Sequence, residues 1–276
     1  MFKFTDKHIE EYQTLGYTVF HGIIPVKLID ELRRECDRGT ELARAQHGLQ
    51  ALRFQPIAKF DINQKPFEEF QNLPEIRDAV SRIIQVDWEP SGLDIMGVLI
   101  EPSDSAYCMR WHRDWRDNVS GLDVRDWESH YQDVKLFNQV NAALYEDTCT
   151  WVVPGSHLRP DTDAEILRFP KRPILGPDFE GLCAAARERV SLDYLESLPG
   201  AKRILLDAGD YCLYRNSLWH TGNYVPYKKR ATLHDAPMTQ AFLEYREAAI
   251  AKAKIRLAEG IEWENPNAER VAELVG

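Results

Sequence analysis

From residue 93 onward the chain is cut into short apolar runs separated by turn residues, and this constrains the fold more than any other feature. Residues 93–100 form one unbroken apolar run, and 136–145 form a second candidate strand. Thr150-Trp151-Val152-Val153 runs into the turn Pro154-Gly155-Ser156. Residues 203–207 and 211–215 flank the turn Ala208-Gly209-Asp210, and 230–234 make a last run. Runs this short, bounded by Gly, Pro and Asp, read as strands rather than helices. Many short strands between turns close into a sandwich or barrel-like core. The expected class is mainly β with flanking helices.

The helices lie at the two ends. Thr5 can cap a helix that places Ile9, Tyr12 and Leu15 on one face, and Gly16 ends it before a strand at 17–20. Pro25 opens a second helix with Leu28, Leu32 and Cys36 on one side. Residues 51–60 read as extended, and 73–84 as a helix with Pro74 in its first turn. An Ala/Glu/Lys/Arg-rich segment at 240–259 predicts a helix packed outside the core. No repeat or low-complexity linker divides the 276 residues, so a single domain over 1–276 is expected. Two connections, 115–133 and 155–202, are long enough to serve as lids or binding loops.

A formal net charge of -10 disfavours nucleic acid and anionic membranes as partners. The cysteines Cys36, Cys108, Cys149, Cys183 and Cys212 are scattered and form no CxxC, which suits reduced thiols in a cytoplasmic protein. The N-terminus lacks a signal-peptide core, and no apolar run reaches the roughly 18 residues of a membrane helix.

The chemistry is concentrated in two segments. Trp111-His112-Arg113-Asp114 holds the spacing His-x-Asp. On an extended backbone, residues two apart share a face, so His112 and Asp114 can bind one cation. Two histidines and one carboxylate on one side of a metal leave its other positions open, as in non-haem iron(II) oxygenases. The spacing also arises by chance, and the third ligand must come from elsewhere. The segment 208–220 supplies a turn, a strand and then His220. Ten residues later stands Arg230, whose planar fork suits a carboxylate. Its partner is either a dicarboxylate co-substrate or water at a strand end.

In these elements the sequence resembles the phytanoyl-CoA dioxygenase family of 2-oxoglutarate oxygenases, over residues 4–235. The shared order is an N-terminal helix into Leu15-Gly16-Tyr17-Thr18-Val19-Phe20, then Leu28-Ile29-Asp30-Glu31-Leu32-Arg33, Trp111-His112-Arg113-Asp114, Val152-Val153-Pro154-Gly155-Ser156-His157, Ala208-Gly209-Asp210, His220 and Arg230. The resemblance implies a double-stranded β-helix (a cupin-like jelly roll). It implies iron(II) on His112, Asp114 and His220, with 2-oxoglutarate and O2 as co-substrates and Arg230 on the distal carboxylate. It further implies hydroxylation of a small molecule, or a desaturation or ring closure from the same radical, and no halogenation, because halogenating relatives lack the carboxylate that Asp114 provides.

The resemblance also suggests lesser positions. Where the family often has an aromatic residue beside the co-substrate, this chain has Asn141, and Gln139 shares its face. Either amide could bind 2-oxoglutarate or substrate, or the two could pair with each other. Lys59 falls about where some members place a co-substrate lysine, and Thr221 follows the distal histidine. The family's Asn-Gly before Pro-Gly-Ser-His is replaced by Glu146-Asp147-Thr148-Cys149-Thr150-Trp151. Arg113, Arg116 and Arg215 hint at an anionic substrate. His157 suits a structural or substrate-facing role, whereas His8, His21, His47 and His234 suit surface or packing. His130, with Trp115, Arg116, Trp127 and Tyr131, makes 115–133 either a substrate lid or a solvated connection. Two rivals remain: a metal-free β-barrel binding protein, and a cupin-like metal enzyme that does not use 2-oxoglutarate.

Overall fold

The computed structural model describes residues 2–275. Its strands are β1 (Tyr17–Phe20), β2 (Arg53–Phe54), β3 (Trp88–Pro90), β4 (Gly97–Ile100), β5 (Tyr107–Cys108), β6 (Asn138–Ala143), β7 (Thr150–Val152), β8 (Lys202–Arg203), β9 (Tyr211–Arg215), β10 (His220–Tyr224), β11 (Ala231–Asp235) and β12 (Pro237–Thr239). A six-stranded sheet, in the order β1-β9-β6-β11-β4-β2, faces a four-stranded sheet, β5-β10-β7-β8. Every pairing is antiparallel. The architecture is a jelly roll with flanking helices, as expected, although helices carry more residues than strands do.

Alternation along the strands divides the large sheet into two faces. Val98, Ile100, Val140, Ala142, Leu213 and Leu233 point outward into the main core. There they meet the N-terminal helices α1 (Asp6–Leu15), α2 (Val26–His47), α3 (Lys65–Gln71) and α4 (Pro74–Ile84) through Tyr12, Leu32, Phe67, Phe70 and Ile83. The other face looks toward the small sheet and is polar where it borders a cavity: Gln139, Asn141, Tyr214 and His234 lie there, with Leu99.

Several expected boundaries move. The apolar run 93–100 becomes a strand only from Gly97, because the amides of Ile95 and Met96 donate to the Gly92 carbonyl and make a turn. The segment 51–60 is extended only at β2. Pro56 has no N–H to continue a ladder, and Ile57–Lys59 coils into a 3-10 turn. The run 203–207 is reduced to β8 and one bridge between Asp147 and Leu206.

The two long connections are structured. The first holds α5 (Val124–His130), and the second holds α6 (Asp163–Arg168) and α7 (Ala184–Glu196). The C-terminal segment forms α8 (Gln240–Ala258) and α9 (Ala268–Val275). Phe242, Tyr245 and Ala249 of α8 pack on Leu122, Trp127, Tyr131 and Phe137, so 115–133 is pinned by apolar burial rather than solvated. No helix among the described residues is long and apolar enough to cross a membrane.

Candidate metal centre and co-substrate cavity

His112 and His220 form an antiparallel bridge, which sets their side chains on the same side of two adjacent strands. The ring centroids are 4.2 Å apart. Asp114, two residues on, turns its Oδ1 to within 3.3 Å of His112 Nε2 and 3.8 Å of His220 Nε2. All three ligand atoms lie within 4.8 Å of one another, close enough to bind one ion.

The polar partners fix how these groups present themselves. His112 Nδ1 lies 2.9 Å from the Arg110 carbonyl, and His220 Nδ1 lies 3.0 Å from the Leu218 carbonyl. A carbonyl only accepts, so each Nδ1 carries the proton and each Nε2 offers a lone pair to the shared space. Burial and the neighbouring His112 push His220 down to about 4, so its imidazole is neutral at neutral pH, the form that can bind a metal. Burial raises the Asp114 carboxyl, but the His220 and His112 imidazoles outweigh it and hold it well below the usual carboxylate range. Asn216 Nδ2 donates to Asp114 Oδ2 at 3.0 Å, and Asn118 Nδ2 donates to Oδ1. Neither asparagine stood out in the sequence.

A cavity of about 290 Å³ opens beside this cluster. Gln139, Asn141 and Thr221 line it, as does His234, which the sequence reading had assigned to surface or packing. On β11, His234 falls on the inward face, two residues after Thr232. Gln139 and Asn141 do not pair with each other; both bond His234 instead. Thr221 donates its hydroxyl to the Met109 carbonyl at 2.5 Å.

Lys59 is not on the cavity wall; it ends the 3-10 turn that follows Pro56. Arg53, on β2, lines the cavity in its place, and its only side-chain hydrogen bond among the described residues is to Gln55 Oε1 at 3.3 Å.

Arg230 is buried at 3% exposure, and its Nε donates to Asp147 Oδ2 at 2.9 Å. The guanidinium stacks 4.3 Å over the ring of Tyr224, which lines the cavity. Its Nη1 is buried with no hydrogen-bond partner. The nearby acid that the sequence reading did not find is therefore Asp147, in the segment that departs from the family pattern. Asp147 also accepts from Thr232 Oγ1 and from the Cys149 amide.

The arginines that hinted at an anionic substrate are already engaged elsewhere. Arg113 pairs with Asp161 at 3.0 Å, and Arg116 pairs with Asp117 at 2.9 Å and Asp161 at 2.8 Å. Arg172 joins them through Asp117 at 3.1 Å. Arg215 donates to the carbonyls of Phe137, Tyr131 and Asp133. None of these lines the cavity. Arg113 lies between two residues that face the metal cluster, so alternation turns it to the opposite side. The hint fails for that reason.

The remaining histidines hold the scaffold. His157 is buried and its Nε2 lies 3.2 Å from the Gln13 carbonyl, tying the Pro-Gly-Ser-His turn to α1. His21 bonds Asp210, and His130 bonds its own helix. Of the long connections, the first contributes Trp115, Asn118 and Val119 to the cavity. The second lies behind the metal strand, where Tyr194 of α7 accepts from the Trp111 amide at 3.1 Å.

No family model matches the chain, and no curated protein matches it. Solved structures do. AviO1 from Streptomyces viridochromogenes is 16% identical over 85% of this chain and 95% of its own, with a TM-score of 0.56. SnoK, described as a non-heme alpha-ketoglutarate-dependent carbocyclase from nogalamycin biosynthesis, is 15% identical over 86% and 84%, with a TM-score of 0.55. HygX from Streptomyces hygroscopicus, solved with nickel and 2-oxoglutarate bound, is 17% identical over 86% and 88%, with a TM-score of 0.55. At these identities the likeness is one of fold, and the chain shares the jelly roll of these proteins.

Proposed function

We propose that this protein is an iron(II)- and 2-oxoglutarate-dependent dioxygenase of the phytanoyl-CoA dioxygenase type, hydroxylating a C–H bond of a small molecule. The observation that carries the reading is the convergence of His112 Nε2, Asp114 Oδ1 and His220 Nε2, with both Nδ1 protons committed to backbone carbonyls. Two imidazoles and one carboxylate suit iron(II) and leave room for other ligands.

The residues present also fit the co-substrate. Arg53 lines the cavity and has no carboxylate partner among the described residues; Arg230 does not line it but stacks on the lining Tyr224, and its buried Nη1 has no hydrogen-bond partner among the described residues. Because Asp147 already balances the charge of Arg230, Arg53 supplies the net positive charge that a distal carboxylate requires. Asn141, Gln139 and Thr221 lie along the same cavity.

Iron(II), 2-oxoglutarate and O2 together supply the oxidation: one oxygen atom enters succinate as CO2 is lost, and the other enters the substrate C–H bond. The protein's share is to hold the ligand geometry, fix both Nδ1 protons on backbone carbonyls, orient Asp114 through Asn216 and exclude water. Trp115, Val119 and Met109 of the cavity lining offer apolar surface to a substrate. AviO1, SnoK and HygX share this fold and cover most of the chain, which supports the reading. We take residues 1–276 as one catalytic domain. Its cysteines are all free, which suits the cytoplasm, where we place it.

The test is direct. The purified protein is mixed anaerobically with iron(II) and 2-oxoglutarate and should develop a weak visible charge-transfer band. Metabolite classes are then screened for succinate release coupled to O2 uptake. A protein that binds iron but neither forms the band nor consumes 2-oxoglutarate is a different metal enzyme. One that binds no divalent metal is a binding protein.

A further inference from the structure

The cavity wall carries an unbroken row of side-chain hydrogen bonds. Tyr214 Oη donates to Gln139 Oε1 at 2.9 Å. Gln139 Nε2 lies 2.7 Å from His234 Nε2. His234 Nδ1 lies 2.9 Å from Asn141 Oδ1. Asn141 Nδ2 donates to Thr150 Oγ1 at 2.9 Å. These five residues come from three strands of the large sheet and one of the small sheet, and all of them border the cavity.

The row has a direction. An amide N–H2 donates and cannot accept, so the nitrogen it faces on His234 is unprotonated and the other carries the hydrogen. His234 is therefore the neutral Nδ1–H form. Burial, with the Arg53 charge nearby, pushes its imidazolium down to about 4, in agreement. Thr150 spends an oxygen lone pair on Asn141 and keeps its own hydrogen to donate. The row also has a place. Tyr214 packs edge-on to the proposed ligand His220, with centroids 5.6 Å apart. Thr150 lies three residues beyond Asp147, the partner of Arg230. The row thus runs from the metal end of the cavity to the arginine end.

We propose that His234 is a positioning residue for the co-substrate. It locks the amide orientations of Gln139 and Asn141 so that the arginine end of the wall presents hydrogen-bond donors to a carboxylate. This rests on the 2-oxoglutarate reading above. Arg53 and the Thr150 hydroxyl, which line the cavity, then give that end donors only, with the Arg230 guanidinium stacked on the lining residue Tyr224, and this matches an anion that can only accept. Without His234, both amides lose a fixed partner and can turn an oxygen toward the carboxylate.

The experiment uses the full chain loaded with zinc(II), a diamagnetic stand-in for iron. Side-chain 15N spectra of histidine should show one ring, absent from His234→Leu, protonated at Nδ1 and not at Nε2 throughout neutral pH. Calorimetric titration with 2-oxoglutarate should give at least about ten-fold weaker binding for His234→Leu, the scale expected when a buried hydrogen-bonding group loses its partner. Zinc affinity should not change. Should His234→Leu fail to fold, Thr150→Val, which removes only the terminal donor, carries the same expected weakening. An Nε2–H or doubly protonated ring overturns the proposal, and so does unchanged 2-oxoglutarate affinity in the variants. If the parent itself binds zinc but no 2-oxoglutarate, the functional reading fails and the proposal falls with it.

Discussion

His112 and His220 exchange backbone hydrogen bonds in both directions, His112 N to His220 O at 3.1 Å and His220 N to His112 O at 3.0 Å. This one bridge joins residues from distant parts of the sequence and sets the separation of their rings. The candidate metal centre is consequently as rigid as the backbone pairing that carries it.

His112→Ala and His220→Ala should each abolish tight binding of one divalent ion, because two remaining ligands compete poorly with water. Asn216→Ala should retain the site but weaken it by about ten-fold or more, through lost orientation of Asp114. Anaerobic iron(II) titration with 2-oxoglutarate reads all three. Parent-like titration of both histidine variants would remove them from the ligand set.

Arg53 and Arg230 should separate cleanly. Arg53→Ala should weaken 2-oxoglutarate binding by roughly ten-fold or more while leaving thermal stability unchanged, as expected for an exposed residue. Arg230→Ala should weaken binding by roughly 30-fold or more. It should also destabilise the fold by about 3–5 kcal/mol, because Asp147 is left buried without its cation. Arg230→Lys should recover part of both losses. Calorimetry and urea unfolding check each arm, and an unchanged stability in Arg230→Ala would contradict the buried pair with Asp147.

The cluster behind the metal strand predicts an acid response. Burial raises Asp161 and Asp117, but Arg116, Arg113 and Arg172 outweigh it and hold both below their ordinary value of 3.8. A carboxyl depressed in the folded state adds stability above the unfolded value, and that stability is lost as pH falls through the folded value. Urea midpoints should thus be flat from pH 7 to about 5 and fall below about 4. Asp161→Asn should be less stable at pH 7 by about 3 kcal/mol, with the gap closing in acid. A gap independent of pH would mean that the ion pairs contribute nothing.

On the proposed reading Asp114 decides the outcome of the reaction. As a metal ligand its carboxylate would fill the position that a halide would need, and its charge would disfavour a second anion there. With a substrate in hand and excess chloride or bromide, mass spectrometry should find a hydroxylated, desaturated or cyclised product and no halogenated one. Asp114→Gly should lose hydroxylation. If it hydroxylates at the parent rate, Asp114 is not a ligand.

Local chemistry was enough to read much of this protein from sequence. The capping residue Thr5, the helix-ending Gly16, the short apolar runs between turns and the His-x-Asp spacing are each a property of a few adjacent residues, so the first helix, the sheets and two of the candidate metal ligands were legible. The amphipathic helix after Pro25 and the outer helix at 240–258 were legible for the same reason. What the sequence could not decide is who meets whom across the jelly roll. Arg230 finds Asp147, 83 residues away, and His234 bonds Gln139 and Asn141 across neighbouring strands. Lys59 and Arg53 look alike as upstream cations, and only the turn after Pro56 separates the one on the cavity wall from the one beyond it. The arginines at 113, 116 and 215 looked available because their partners come from distant segments or from backbone carbonyls, neither of which leaves a mark on the neighbouring sequence. Strand register and inward or outward facing are set by long-range pairing, and that pairing exists only once the two sheets have closed.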